Sequence, residues 1–314
     1  MNMTTEETHL PVLLQEAIDA LNIKPNGIYI DGTFGRGGHS RAILSKLGEK
    51  GSLLAFDKDP AAINAATEIL QQDMRFSIVR GSFTSMSTEV MKRGWEGEVD
   101  GILLDLGVSS PQLDHASRGF SFREDGPLDM RMDPEQGVSA AQWIASAKEK
   151  EIAVILKQYG EERYAKRIAA AIVRKREEHP VETTAQLAQI VSEAHPRWER
   201  DKHPATRSFQ AIRIYINREL DDLDDVLANV IPLLKPQGRL VVISFHSLED
   251  RRVKQFIRDQ SQGDEYPPDL PIMNHQLKPK ALKSIGKAMR ASEHEIEANP
   301  RSRSAVMRVA EKAA

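Results

Sequence analysis

The chain has 314 residues, of which 40% are hydrophobic and 28% charged, enough for one large domain or two smaller ones and ordinary for a soluble globular protein. It has no cysteine, which excludes disulfides, thiolate metal sites and any chemistry that needs a cysteine nucleophile. Its formal net charge of −3 is too small to mark the whole molecule as a nucleic-acid binder, no apolar run reaches bilayer length, and residues 1–9 lack a signal peptide's apolar stretch, so the expected compartment is the cytoplasm.

The first predicted strand, 28–30, ends in Asp31 and runs straight into a glycine-dense turn, D-G-x-x-G-x-G-G, with Gly32, Gly35, Gly37 and Gly38. An amphipathic helix pattern follows at 40–47. Strand, glycine loop and helix in that order form the cofactor-cradling turn of an open α/β sheet. The spacing is not the dinucleotide pattern G-x-G-x-x-G. A carboxylate before the first glycine would repel a pyrophosphate and attract a cofactor that carries an amine and no phosphate. S-adenosylmethionine fits, with its amine, sulfonium and ribose. Further strands are predicted at 53–56, 76–79 and 101–106, with helices at 60–72 and 86–93 between them. Asp57, at the end of the second strand, is placed to accept hydrogen bonds from ribose hydroxyls. Strands alternating with helices imply a doubly wound, mostly parallel sheet, so the expected fold class is α/β and Rossmann-like.

After the fourth strand the pattern changes. Helices are predicted at 140–147, 150–159, 163–178 and 184–194, punctuated by Pro180, Pro196 and Pro204. This reads as an all-helical substrate-recognition subdomain at 139–204, inserted into a methyltransferase domain of 1–138 and 205–314. One long helix or two should return the chain through 209–234, and strands follow at 239–245 and 305–310, the last as a sheet-edge hairpin. Charge is uneven: 139–218 carries +5 and 274–314 carries +5, which leaves −13 on the rest. The tail from Gln276 holds Lys278, Lys280, Lys283, Lys287 and Arg290. Basic patches on an acidic body suit one nucleic-acid face.

In an open sheet the ligand lies beyond the carboxyl ends of the strands. Asp105 and the loop Ser109-Ser110-Pro111-Gln112 should therefore face a methyl donor. An acid followed by a proline loop resembles, loosely, the [DNS]-P-P-[YF] motif of amino-methyltransferases. Without cysteine, base methylation must target a group that is already nucleophilic. An exocyclic amine is a poor nucleophile until acceptors hold its N–H groups and aim its lone pair, and positioning supplies most of the acceleration. Asp105 or the Ser109–Pro111 carbonyls could serve, with Asp105 equally readable as a donor-side carboxylate. Phe120 and Phe122, in a long aperiodic loop, could stack on a base or anchor the loop. His246, after the fifth strand, borders the same crevice and could contact the base or a phosphate. Ser247 and Asp250 could cap the next helix.

Asp31–His39, Asp105–Asp114, Gly119–Phe122, Gly126–Asp133, His203–Arg207, Ile243–Asp250 and Asn299–Ser304, taken in order, resemble the ribosomal RNA small subunit methyltransferase H family, also called MraW, over nearly the whole chain. The resemblance implies a class I methyltransferase fold with a helical insert, and S-adenosylmethionine-dependent N4-methylation of a decoding-centre cytidine in 16S rRNA of the small ribosomal subunit. It further implies donor contacts from Gly37, Gly38 and His39, and from Asp57, Phe83, Asp105 and Gln112. It does not decide between Asp105 and the neighbouring loop as the catalytic acceptor. No metal and no membrane are called for, and monomer and homodimer are both compatible. Two other readings share the donor site: an enzyme acting on DNA amines, and a non-catalytic S-adenosylmethionine-binding ribosome-assembly factor. An NAD-dependent enzyme is disfavoured by the glycine spacing and Asp31.

Overall fold

The computed structural model describes residues 11–70, 72–198, 203–262 and 280–314. Lys278 and the polar start at 1–9 lie outside them. Two compact units emerge: Met1–Gly107 with Asp222–Ala314, and Val108–Asp221. The second unit is wider than the insert read from the helical pattern, which spans 139–204. It takes in the loop after the fourth strand and the first of the two returning helices.

The first unit opens with α1 (Leu14–Leu21), β1 (Ile28–Asp31), α2 (Gly38–Lys46), β2 (Ser52–Asp57), α3 (Pro60–Leu70), β3 (Phe76–Arg80), α4 (Met86–Arg93) and β4 (Val99–Asp105). The second holds α5 (Ser110–Asp114), α6 (Ala140–Ser146), α7 (Glu149–Gly160), α8 (Ala165–Glu178), α9 (Thr184–Ala194) and α10 (Thr206–Asn217). The chain returns by α11 (Glu219–Leu233) to β5 (Leu234–Ser244), α12 (Ser247–Ser261), β6 (Leu282–Ser284), β7 (Met289–Arg290), α13 (Glu293–Ala298) and β8 (Val306–Lys312).

The sheet order is β3-β2-β1-β4-β5-β8-β6, with β7 also paired to β8. The first five strands run parallel, and β8 runs antiparallel to β5 and β6. Side chains alternate across the pleat, so each strand feeds two cores. Leu53, Ala55, Leu103, Val241 and Ile243 join α1 and α2 on one face. Leu54, Phe56, Ile102, Leu104, Leu240 and Val242 join α4, α11 and α12 on the other. Near-continuous apolar runs are what a strand buried on both faces requires. The expected sheet-edge hairpin at 305–310 is corrected: β8 lies inside the sheet and β6 takes the edge, because the two strands that cover β8, at 282–284 and 289–290, are too short to show a period in sequence.

In the second unit, capping boxes start α6 (Ser139 with Gln142) and α9 (Thr183 with Gln186). The return path is two helices, broken where Arg218 adopts a left-handed φ of 53°. The aperiodic stretch after α5 is ordered by polar bonds. Asn217 accepts from Met132 N–H at 2.7 Å and donates through Nδ2 to Met130 O at 2.7 Å and Arg213 O at 2.9 Å. Asn217→Ala should lower stability by about 2 kcal/mol, since it orphans buried backbone groups. Urea unfolding of the variant checks this, and an unchanged midpoint would remove Asn217 as the loop's anchor.

Phe120 is buried, and Phe122 packs on Phe209 with ring centroids 4.8 Å apart. Both rings anchor the loop, rather than standing free for a base.

Candidate active site

The glycine turn is stitched to its neighbours by backbone hydrogen bonds, from Gly32 N–H to Leu103 O and from Phe34 N–H to Phe56 O, both 2.9 Å. A Cβ on Gly32 would lie 2.4 Å from Leu104 and 3.3 Å from Phe83 Cβ, so the turn runs hard against β4 and the residues that follow β3. Gly37, the N-cap of α2, has φ 71°, and a Cβ there would lie 2.5 Å from the Phe34 ring. Only glycine fits without strain. Gly35 and Gly37 have positive φ and Gly38 opens α2, so the turn ends on unpaired helix N–H groups.

Three carboxyl groups surround this turn. Asp31 is fully buried, and its oxygens accept from Thr33 N–H (3.1 Å) and the Ser40 hydroxyl (2.6 Å). Asp57 accepts from Gly35 N–H (2.7 Å) and Asp59 N–H (2.8 Å). Asp105 is held through its own N–H, which donates to Thr33 Oγ1 at 2.7 Å. Burial raises Asp31 above the usual carboxylate range, against the pull of the Ser40 and Thr33 hydrogen bonds. Burial lifts Asp57 to about 6, and the charges of Asp59 and Asp31 add to it. Asp105 is pushed well above its ordinary value by burial first, then by Asp31 and Glu249.

His39 Nδ1 lies 3.7 Å from Asp105 Oδ2. This is no ion pair. Burial lowers His39 to about 4, with a backbone contact to Val12 opposing, so the imidazole is neutral at pH 7. Asp105 Oδ1 is buried and makes no hydrogen bond among the described residues. A buried acceptor left open at a strand's carboxyl end, in an acid-lined cradle, suits a ligand that brings N–H donors and positive charge. It does not suit a pyrophosphate. S-adenosylmethionine meets that description.

The residues expected beyond β4 divide. Ser109, Ser110, Pro111 and Gln112 belong to the second unit, at the start of α5, where the buried Gln112 accepts from Ser109 N–H through Oε1 at 2.9 Å. His246 belongs to the first unit and is itself the N-cap of α12, its Nδ1 accepting from Glu249 N–H at 3.4 Å. Glu249 closes the capping box by accepting from His246 N–H at 3.3 Å, and it also accepts from Phe245 N–H at 2.8 Å. The expected cap from Ser247 and Asp250 is thus corrected, because Asp250 is engaged by the Arg308 guanidinium at 2.6 and 3.0 Å. Sequence reasoning missed Thr33, Ser40 and Glu249, which hold Asp105, Asp31 and His246. The spacing H-x-x-E at 246–249 was the available signal for Glu249. Hydroxyls two and nine residues past Asp31 carried none.

The sequence matches the MraW methylase family over residues 6–313. The chain belongs to the MraW methylase family. It is 57% identical over 305 residues to the Ribosomal RNA small subunit methyltransferase H of Nitrosococcus oceani, covering 97% of each chain. Solved structures that match the chain include an rRNA methylase from Streptococcus thermophilus, at 10% identity and a TM-score of 0.40 over 98% of this chain and 100% of that one. Another is a SAM-dependent methyltransferase from Aquifex aeolicus, at 9% identity and 0.41 over 96% of this chain and 90% of that one. At scores this low neither adds to the family match. As an MraW methylase, the protein uses S-adenosylmethionine as its methyl donor, and its sheet is mostly parallel with helices between the strands, as expected for an α/β fold. No described helix is long and apolar enough to cross a membrane.

In this MraW methylase, Gly37→Ala should weaken donor binding severalfold, since a left-handed non-glycine residue costs about 1–3 kcal/mol and its methyl group meets the Phe34 ring. Calorimetry with the donor measures it. Unchanged affinity would show that Phe34 yields and that the turn does not shape the cradle.

Proposed function

We propose that this chain transfers a methyl group from S-adenosylmethionine to the exocyclic N4 amine of a cytidine in the decoding centre of 16S rRNA, acting on the small ribosomal subunit in the cytoplasm. The observation that carries the reading is the acid-lined cradle of Asp31, Asp57 and Asp105 in a chain without cysteine. The cradle favours a cationic, phosphate-free donor. The missing thiol removes the covalent route to pyrimidine C5 and leaves amines and ring nitrogens as targets. The N. oceani relative supports the RNA.

S-adenosylmethionine supplies an electrophilic methyl group on a sulfonium. Asp31, Gly35, Gly37, Gly38, His39, Asp57, Phe83, Asp105 and Gln112 would hold it, with Asp57 taking ribose hydroxyls through its remaining lone pairs. On the acceptor side, Asp105, or carbonyls of Ser109, Ser110 and Pro111, accept the amine's N–H groups and fix the direction of its lone pair. A positive ligand beside Asp105 favours its carboxylate form, which can then receive the proton released after transfer. His246 Nε2 is buried 3.2 Å from Glu249 Oε1 and makes no hydrogen bond among the described residues, so a role toward the target nucleotide would require this ring to become exposed.

The test offers labelled S-adenosylmethionine and small subunits from cells lacking this protein, followed by digestion to nucleosides. Label in N4-methylated cytidine is the expected result. Label in another nucleoside, or none while donor binding persists, overturns it, and DNA is then offered as the substrate.

A further inference from the structure

Two of the motifs left outside the donor site meet in the second unit. Phe122, in the segment Gly119-Phe120-Ser121-Phe122, and His203, which opens His203-Pro204-Ala205-Thr206-Arg207, have ring centroids 4.6 Å apart. Phe122 rests on the buried Phe209. His203 in turn lies 5.9 Å from the Trp198 ring, tilted by 59°. A line of aromatic rings therefore climbs from the core to the surface and ends in an indole that is 63% exposed. Trp198 is the one aromatic residue among the exposed large hydrophobics of the described residues. Leaving an indole in water forgoes the burial free energy that fixes most tryptophans inside.

The charges around it point to the partner. Arg197 and Arg123, the chain neighbours of Trp198 and Phe122, are exposed and form no ion pair among the described residues. The stretch 139–218 carries +5. A rigidly backed aromatic face beside exposed guanidinium groups is the arrangement that binds single-stranded nucleic acid, with a base on the ring and phosphates on the cations.

We propose that Trp198 is a base-stacking residue for a single-stranded segment of the RNA substrate, with Arg197 and Arg123 on its phosphates. The proposal rests on the small-subunit rRNA reading above and assigns its second unit a contact surface. The platform acts on binding and not on the reacting atoms.

The experiment measures methyl transfer against small-subunit concentration at saturating donor for wild type, W198A and W198F. W198A should raise KM by about tenfold, since a stacked base contributes in that range. Its kcat and donor affinity should not change. W198F, which keeps a ring, should stay near wild type. A single-stranded oligonucleotide should quench the tryptophan emission of wild type and leave that of W198F nearly unaltered. An unchanged KM for W198A, together with an unquenched wild type, overturns the proposal. So does weaker W198A binding to subunits that disappears on deproteinised 16S rRNA, because the partner is then a ribosomal protein. If wild type transfers no methyl group to subunits, the rRNA reading fails, and the oligonucleotide quenching still decides whether Trp198 stacks on a base.

Discussion

Asp105→Ala lowers methyl transfer by more than about tenfold, which corresponds to about 1.4 kcal/mol or more in the barrier. Three features of Asp105 set the size of this effect. It ends β4, its N–H is fixed by Thr33, and its Oδ1 is buried with no hydrogen bond among the described residues. An acceptor held open in this way is pre-positioned, and a ligand loses no protein hydrogen bond by using it. Asp105→Asn separates charge from shape. It keeps an acceptor but cannot take a proton, so it should fall between wild type and alanine. Single-turnover rates with labelled donor measure both variants, and near-normal turnover for Asp105→Ala would move the acceptor role to the Ser109–Pro111 carbonyls.

Asp57→Ala weakens donor binding by about tenfold or more and imposes a change in pH dependence. Burial raises the Asp57 carboxyl to about 6, above its unfolded value of 3.8. A group raised in this way is harder to ionise in the folded chain, so between 3.8 and about 6 the folded state holds the proton more tightly than the unfolded one and stability falls as pH rises. Donor binding runs the other way. Ribose hydroxyls donate to the carboxylate, so protonation competes with the ligand, and affinity should rise with pH up to about 6 and then level off. Asp57→Asn should flatten that part of the profile relative to wild type. Calorimetric titrations with the donor across this range check both statements, and parallel profiles for wild type and Asp57→Asn would show that other groups set the pH dependence.

Much of this was legible in the sequence, for physical reasons that differ by element. β1, β2 and β4 are dense runs of Ile, Leu, Val, Phe and Tyr that end in Asp31, Asp57 and Asp105, and a strand buried on both faces leaves that mark. Helix periodicity placed α4 at 86–93 and α9 at 184–194, where capping by Thr183 and termination at Gly94 are local signals. What escaped depends on long-range contact. The edge strands β6 and β7 are three and two residues long and exist only because β8 supplies hydrogen-bonding partners. Asn217 looks like an ordinary polar residue at a helix end, yet it ties down Met130 and Met132, far away in the chain. His246 carried the opposite ambiguity. An imidazole after a strand reads as a site residue, and the structure shows its Nδ1 capping α12.

The interruption of the first unit has a consequence for how the chain is made. Ribosomes deliver residues in order, and β4 pairs with β5 through Ile102 and Leu240, on opposite sides of the continuous unit Val108–Asp221. A nascent chain that has released only the first 107 residues owns β3, β2, β1 and β4, and the β4 edge meant for β5 has no partner. That edge stays open through the synthesis of the whole insert. An apolar parallel strand waiting in this state is a target for pairing with a neighbouring chain, until β5 arrives to cover it. The insert, by contrast, is continuous in sequence and rich in local helical contacts, so it can fold while the sheet is still incomplete.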